Sequence, residues 1–278
     1  MKRCAYMCLA LLSVVLSWGV ASTAHAQAAN GPATIDAIKA RGVMRVGLAT
    51  FVPWVMRNKQ GELVGYEIDV ANQLAKDLHV KTEFVPTSWD GIIPALVTGK
   101  FDIIIGGLTP TPERERVIDF TQPDSNTGID AVANKKLSAG RHTLADFNKA
   151  NVVITMRRGS AWIPTIKSQV PLATVLLFDD NAQAGLEMLN GKADLFIGSD
   201  PTPTFLHLDN PDITFKPFDK FLFESTEAIG IRKNDPKTLK YLNDWVAAEH
   251  ANGFLQQRRQ YWFATRAWLD QVPPAPKS

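Results

Sequence analysis

Cysteine is almost missing from this 278-residue chain: there are two, Cys4 and Cys8, both near the amino terminus. If that end is removed, neither a disulfide nor a cysteine-ligated metal is available, and stability has to come from an apolar core. Long apolar runs are missing too. The one sizeable stretch, from Ala5 to Val20, is interrupted by Ser13, Ser17 and Gly19 and falls short of the ~20 residues that span a bilayer. Lys2 and Arg3 precede it and Ala24-His25-Ala26 follows it, the pattern of a secretory signal peptide (residues 1–26) cut before Gln27. The alternative reading of that stretch is an uncleaved membrane anchor.

An excess of charge of one sign is the third absence. Lys and Arg number 30 against 28 Asp and Glu, and Lys2 and Arg3 fall in the leader, so the mature chain is close to neutral. That argues against nucleic acid or an anionic membrane as partner. His79, His142, His207 and His250 lack the spacing of metal ligands, and there is no Gly-x-Ser-x-Gly elbow or phosphate loop. No cofactor is expected. Tandem repeats, heptads and low-complexity tracts are also absent.

What is present is a globular composition, 45% hydrophobic and 21% charged, long enough for two domains. The chain is organised around FDIIIGGLTPTPERERVIDFT, from Phe101 to Thr121. Phe101 to Ile105 reads as a buried strand. Gly106-Gly107 ends it, leaving backbone amides free to approach a ligand. Either Thr109 or Thr111 can cap the helix begun by Pro112, and Arg114 lies in its first turn. Ligands of open α/β sheets sit outside the carboxyl ends of strands, and an arginine fork there matches a carboxylate. The plainer alternative is a strand, a turn and a helix with a surface arginine.

Around this stretch the elements alternate. A helix at Thr34–Arg41 and a strand at Val43–Leu48 are followed by an aromatic loop with Phe51 and Trp54. A helix from Glu67 to Leu78 carries Ile68, Ala71, Leu74, Ala75 and Leu78 on one face. A strand at Lys81–Val85, the Ser88-Trp89-Asp90 loop and a helix at Gly91–Thr98 complete the first round. A second round begins after Asn126-Thr127-Gly128, with strands at Ile129–Ala133, Val152–Met156, Ala173–Phe178 and Ala193–Gly198. Helices lie between the later strands, at Trp162–Gln169 and Asn181–Asn190. An apolar strand from Phe223 to Ile231 returns the chain, and two amphipathic helices, Pro236–Ala251 and Gly253–Trp262, end it.

In this order the chain resembles the bacterial periplasmic solute-binding proteins of the polar-amino-acid ABC transporter family, nearly end to end. The blocks that carry the likeness are RGVMRVGLATFVPW, GELVGYEIDVANQLAKDL, FVPTSWDGIIPALVTGKFDIIIGGLTPTPERERVIDFTQP, RRGSAW and LNGKADLFIGSDP. The resemblance implies an α/β fold of two doubly wound lobes joined by two hinge strands, the type II periplasmic binding fold, closing on a small molecule. Lobe one would comprise residues 33–126 and 226–270, lobe two residues 127–225, and residues 271–278 a flexible tail. The hinge crossings would fall near Asn126 to Gly128 and Ser225 to Glu227. A periplasmic monomer that hands an amino acid or related carboxylate to an ABC transporter permease is the implied function.

By the same resemblance, Arg114 matches the arginine that clamps the ligand α-carboxylate, Thr109 the hydroxyl beside it and Gly107 the backbone contact. Phe51 and Trp89 match the aromatic sandwich, with core packing as the alternative. Gly159 and Ser160 match a helix-start turn that donates amides. Three positions depart from the pattern. Ala161 replaces a threonine, Ser199 falls where an aspartate pairs with the ligand ammonium, with Asp200 one place late, and Arg157 stands where an apolar residue is common. If Arg157 faces the cleft, an acidic or amino-less ligand is expected. If it faces solvent, or if Asp200 turns inward to take the ammonium, an ordinary amino acid fits.

A lyase is the rival class, because the chain also resembles periplasmic cyclohexadienyl (arogenate/prephenate) dehydratase around SWD, the GGLTPTPER block and the last helices. That reaction needs a general acid, and the family's acidic position falls on Thr202, with Asp200 the nearest substitute. A sensor domain for a signalling partner is a third reading. The leader itself yields a direct expectation: the intact mass of secreted protein should correspond to a chain starting at Gln27, and a mature species that retains residues 1–26 would refute the cleavage.

Overall fold

The computed structural model describes residues 32–273, so the expected signal peptide and most of the expected tail lie outside the described residues. Among those described, no helix is long and apolar enough to cross a membrane. The first round runs α1 (Thr34–Arg41), β1 (Val43–Leu48), the short pair β2 (Met56–Arg57) and β3 (Leu63–Val64), α2 (Tyr66–Asp77) and β4 (Lys81–Pro86). It continues with α3 (Ile92–Val97), β5 (Ile103–Ile104), α4 (Pro112–Glu115) and β6 (Ile118–Phe120). Then come β7 (Ser125–Asn134), α5 (Lys135–Ser138), β8 (Val153–Arg157), α6 (Ile163–Gln169), β9 (Thr174–Phe178), α7 (Asn181–Leu189), β10 (Leu195–Ser199) and α8 (Thr202–Asp209). The chain closes with β11 (Thr214–Phe215), β12 (Phe223–Glu227), β13 (Gly230–Arg232), α9 (Pro236–Ala251) and α10 (Phe254–Arg259).

Two sheets result. The first has the order β4-β1-β5-β13-β6, and the second β11-β7-β10-β8-β9 with β12 on β7. β1 is parallel to β4 and β5, and β8 is parallel to β9 and β10, as crossover helices require. Both sheets are mixed, because the segments that carry the chain between them run against their neighbours: β7 is antiparallel to β10, and β13 to β5 and β6. The single return strand expected from Phe223 to Ile231 is two. β12 belongs to the second sheet and β13 to the first, with Ala228 and Ile229 between them.

Burial follows the sequence periodicity. Ile68, Ala71, Leu74, Ala75 and Leu78 are buried against the first sheet, together with Trp54, Tyr66 and Trp262. α3 covers the other face through Ile92, Ala95 and Leu96, packed with Phe101 and Ile104. In the second sheet Ile129, Ile154, Met156 and Ile197 form one core and Val132, Met188 and Phe196 another. Trp54 and Tyr66 are fully buried; truncating such a ring to Ala costs about 3–5 kcal/mol.

The two crossing segments pair directly, Thr127 with Ser225 and Asn126 with Thr226. Three carboxyls gather around this crossing. Asp124 precedes β7 and its amide donates to the Glu227 carbonyl at 3.0 Å. Glu227, at the end of β12, accepts from Trp54 Nε1 at 2.9 Å and Ser125 Oγ at 2.6 Å. Glu67 lies in the first turn of α2, and all three residues are buried. Burial, reinforced by the neighbouring carboxylate of Glu227, pushes Asp124 up to about 7. Burial likewise raises Glu227, and burial with Asp124 and Glu227 nearby raises Glu67 well above the usual carboxylate range.

A carboxyl raised in the folded chain holds its proton where the unfolded chain has lost it. The stability it contributes is complete below the ordinary carboxylate range and is lost as pH rises through about 7. Each unit of displacement corresponds to about 1.4 kcal/mol, and for a chain of this size 1 kcal/mol is about 2–4 °C. The melting temperature should therefore fall by several degrees from pH 5 to pH 7.5, and Asp124→Asn should flatten the slope. A flat wild-type profile over that interval would contradict the shared proton load at the crossing.

Candidate functional site

The site begins at the carboxyl ends of β1 and β5. Thr111, not Thr109, caps α4, its hydroxyl accepting from the Arg114 amide at 3.3 Å, with Pro112 at the first helical position. This leaves the Thr109 hydroxyl to pair with Ser225 Oγ at 3.2 Å, on the crossing strand. Of the two glycines only Gly107 needs to be one. Its φ is +74°, and a Cβ there would lie 2.9 Å from Trp54 Cδ1 and 3.1 Å from Glu227 Oε1, whereas a Cβ at Gly106 would meet only ordinary contacts.

Arg114 reaches across the cleft. Its Nη1 donates to the Thr109 carbonyl at 2.7 Å and its Nη2 to the Gly159 carbonyl of the second sheet's lobe at 2.9 Å. Burial pushes its pKa down to about 10. Each terminal nitrogen carries a second proton, so the guanidinium keeps donors for another acceptor.

Arg157 ends β8 and faces inward. It is 6% exposed, and its guanidinium lies 4.6 Å from the Phe51 ring centroid and 4.3 Å from that of Trp89. Phe51 in turn stacks on Trp54, with centroids 3.9 Å apart and planes 5° from parallel. The Arg157 guanidinium thus lies over the rings of both Phe51 and Trp89, and Phe51 rests on Trp54. The sequence expected Phe51 and Trp89 to sandwich a ligand; the chain's own guanidinium lies between them. Burial first, then the charge of Arg114, pushes the Arg157 pKa down to about 9. Its Nη1 is buried without a hydrogen-bond partner, as is Nε1 of Trp162.

Phe51, Trp89, Gly107, Thr109 and Arg114 from one side line a single cavity with Arg157, Ser160 and Ser199 from the other. Its free volume is about 40 Å3, where about 10–15 Å3 suffices for one water. Trp162 and Asn181 also line it, and sequence reasoning passed over both. Trp162 was within reach, since it closes the RRGSAW block; Asn181 follows the cap of α7 and carries no distinguishing local signal.

Two expectations are corrected by the geometry. Asp200 does not line the cavity: its carboxylate accepts from Thr204 Oγ1 at 3.0 Å and its amide donates to the Gly128 carbonyl at 2.8 Å, which turns it back onto the first turn of α8. The Ser160 amide is not free for a ligand either. It donates to the Arg157 carbonyl at 3.2 Å and closes the turn before α6. No residue lining the cavity carries a carboxyl group. A wider opening of about 610 Å3 adjoins it along the crossing strands, sharing Thr109 and Trp162 and bordered by Glu224 and Arg259.

Comparison with known proteins agrees with this architecture. The family model for bacterial extracellular solute-binding proteins, family 3, matches residues 44–265. The L-cystine-binding protein TcyJ of Escherichia coli (strain K12) is 26% identical over 230 residues, 82% of this chain and 85% of that protein. The cyclohexadienyl dehydratase of Pseudomonas aeruginosa is 25% identical over 234 residues, 84% and 87%. Among solved structures, the ancestral amino acid-binding protein AncCDT-1, described as a precursor of cyclohexadienyl dehydratase, superposes with a TM-score of 0.76 at 34% identity. It covers 84% of this chain and 100% of its own.

The turn at Gly159 offers a test of cleft closure. Its φ is +76°, and an added Cβ would lie 3.0 Å from Asp90 Cα and 3.2 Å from Asp90 N, on the opposite wall. Gly159→Ala should weaken binding of any ligand that stabilises the wild type by tenfold or more (~1.4 kcal/mol), with the ligand-free melting temperature within a few degrees. Unchanged affinity would mean that the two walls need not approach so closely.

Proposed function

The chain belongs to family 3 of the bacterial extracellular solute-binding proteins, and from that premise we propose that it captures an amino acid or a related small carboxylate in the periplasm and delivers it to the permease of an ABC importer. The two lobes close about the paired crossing strands as the ligand binds, and the protein acts as a monomer. The observation that carries this reading is the convergence of Arg114 and Thr109 from one wall with Arg157, Ser160 and Ser199 from the other on one small cavity. Binding proteins with amino acid ligands in their names are among the relatives, the E. coli cystine-binding protein for one.

In this reading Arg114 is the carboxylate anchor. It is held in place by two backbone carbonyls, one on each wall, so its fork is oriented before a ligand arrives. Phe51 and Trp89 exclude water from the charged contact, which strengthens it.

The dehydratase relative favours a second reading, a carbon-oxygen lyase. Such a reaction needs a proton donor beside the leaving hydroxyl. Thr202, at the family's acidic position, donates its hydroxyl to the Val52 carbonyl at 2.9 Å, and Asp200 is turned onto Thr204. The binding reading therefore has more support.

Thermal-shift screening against amino acids and small carboxylates should find ligands that raise the melting temperature by mass action. Calorimetry on Arg114→Ala should then show a loss of ~2–5 kcal/mol, the cost of truncating one partner of a buried charged pair. A loss below about 0.5 kcal/mol, on the same scale, would remove Arg114 from the site, and turnover of prephenate or arogenate would establish the lyase instead.

A further inference from the structure

The cavity's unmatched groups all have the same polarity. Two of its lining residues are cations, Arg114 and Arg157, and none is an acid. The two carboxylates whose charge Arg157 feels are engaged elsewhere: Asp180 accepts from the Gln183 amide at 2.8 Å, and Glu227 from Trp54 and Ser125. The buried groups left without partners on lining residues, Nη1 of Arg157 and Nε1 of Trp162, are both hydrogen-bond donors. Such donors, buried without acceptors, cost free energy until an acceptor arrives.

The space between Phe51 and Trp89 is also taken. A guanidinium over two rings at 4.6 and 4.3 Å is held by the ring faces and is weakly hydrated, so it stays there at modest cost. A cationic side chain from a ligand would have to displace it and would meet a like charge. An α-amino acid zwitterion brings no net charge to a site with two cations, and no residue lining the cavity offers its ammonium a carboxylate; the one acid of the adjoining opening is Glu224, on β12. A ligand with two carboxylates and no ammonium neutralises both guanidiniums and supplies acceptors to the orphaned donors.

Resting on the binding function above, we propose that the ligand is a compact dicarboxylate that bridges Arg114 and Arg157, with Arg157 acting as the specificity residue that fills the aromatic slot and rejects cationic and zwitterionic amino acids. Burial first, then the charge of Arg114, depresses the Arg157 pKa, and a bound anion would offset both.

The test is calorimetry and thermal shift with malonate, succinate and glutarate, against propionate, butyrate, L-glutamate, L-lysine, L-arginine and inorganic sulfate. One of the dicarboxylates should bind at least tenfold more tightly than the monocarboxylates and each amino acid. Arg157→Gln should lower that affinity tenfold or more, whereas Arg158→Gln, at an exposed arginine paired with Asp179, should not. The ligand-free melting temperature of Arg157→Gln serves as the folding check, and if that variant fails to fold, the order of ligand affinities in the wild type decides alone. Preferential binding of L-lysine, L-arginine or L-glutamate, of sulfate, or full affinity in a folded Arg157→Gln, would overturn the proposal. In the amino acid case, continued dependence on Arg114 would leave the solute-binding function standing, while the absence of binding by any carboxylate would remove both.

Discussion

The arginine held between two aromatic rings is the contact on which the rest of the site depends. Arg157 is almost wholly buried, 4.6 Å from Phe51 and 4.3 Å from Trp89, and Phe51 itself rests on Trp54. This one placement fixes three properties of the cleft. It sets the charge, since a second cation joins Arg114 without an acid. It sets the size, since the slot between the rings is already filled. It sets the chemistry of what is missing, since the groups left unpaired donate and do not accept.

The fold makes that placement by bringing strand ends from two sheets to one level. β1 and β5 supply the loops that carry Phe51, Gly107 and Thr109, while β8 and β10 end at Arg157 and Ser199. The sheets are tied by two paired segments, and there Trp54 links the stack to the hinge through its bond to Glu227. Glu227 shares its buried surroundings with Glu67 and Asp124. One indole therefore touches both the aromatic slot, through Phe51, and the carboxyls at the crossing, through Glu227.

Much of this was legible in the sequence, for identifiable physical reasons. The helical face of α2 and the buried strands follow from periodicity, because each must turn an apolar side inward. Gly107, Thr109 and Arg114 were readable from one segment because a strand end, a turn and a helix start are local structures. Whether Arg157 faced the cleft or solvent could not be decided from its neighbours, since that depends on rings more than sixty positions away in the chain. Whether Asp200 turns inward was open in the sequence for a related reason: its partner, Thr204, is one helical turn along and engages the carboxylate locally. The three carboxyls at the crossing, Glu67, Asp124 and Glu227, each look like a surface residue in their own segment; the pairing of β7 with β12 joins Asp124 to Glu227, and the packing of α2 adds Glu67.

A crystal structure of the protein with its tightest-binding carboxylate tests the central claim most directly. One carboxylate of the ligand should lie within hydrogen-bond distance of Arg114 and a second within that distance of Arg157, whose guanidinium should remain between Phe51 and Trp89. A structure in which Arg157 has swung out of the slot, with a ligand side chain between the rings in its place, would contradict the account.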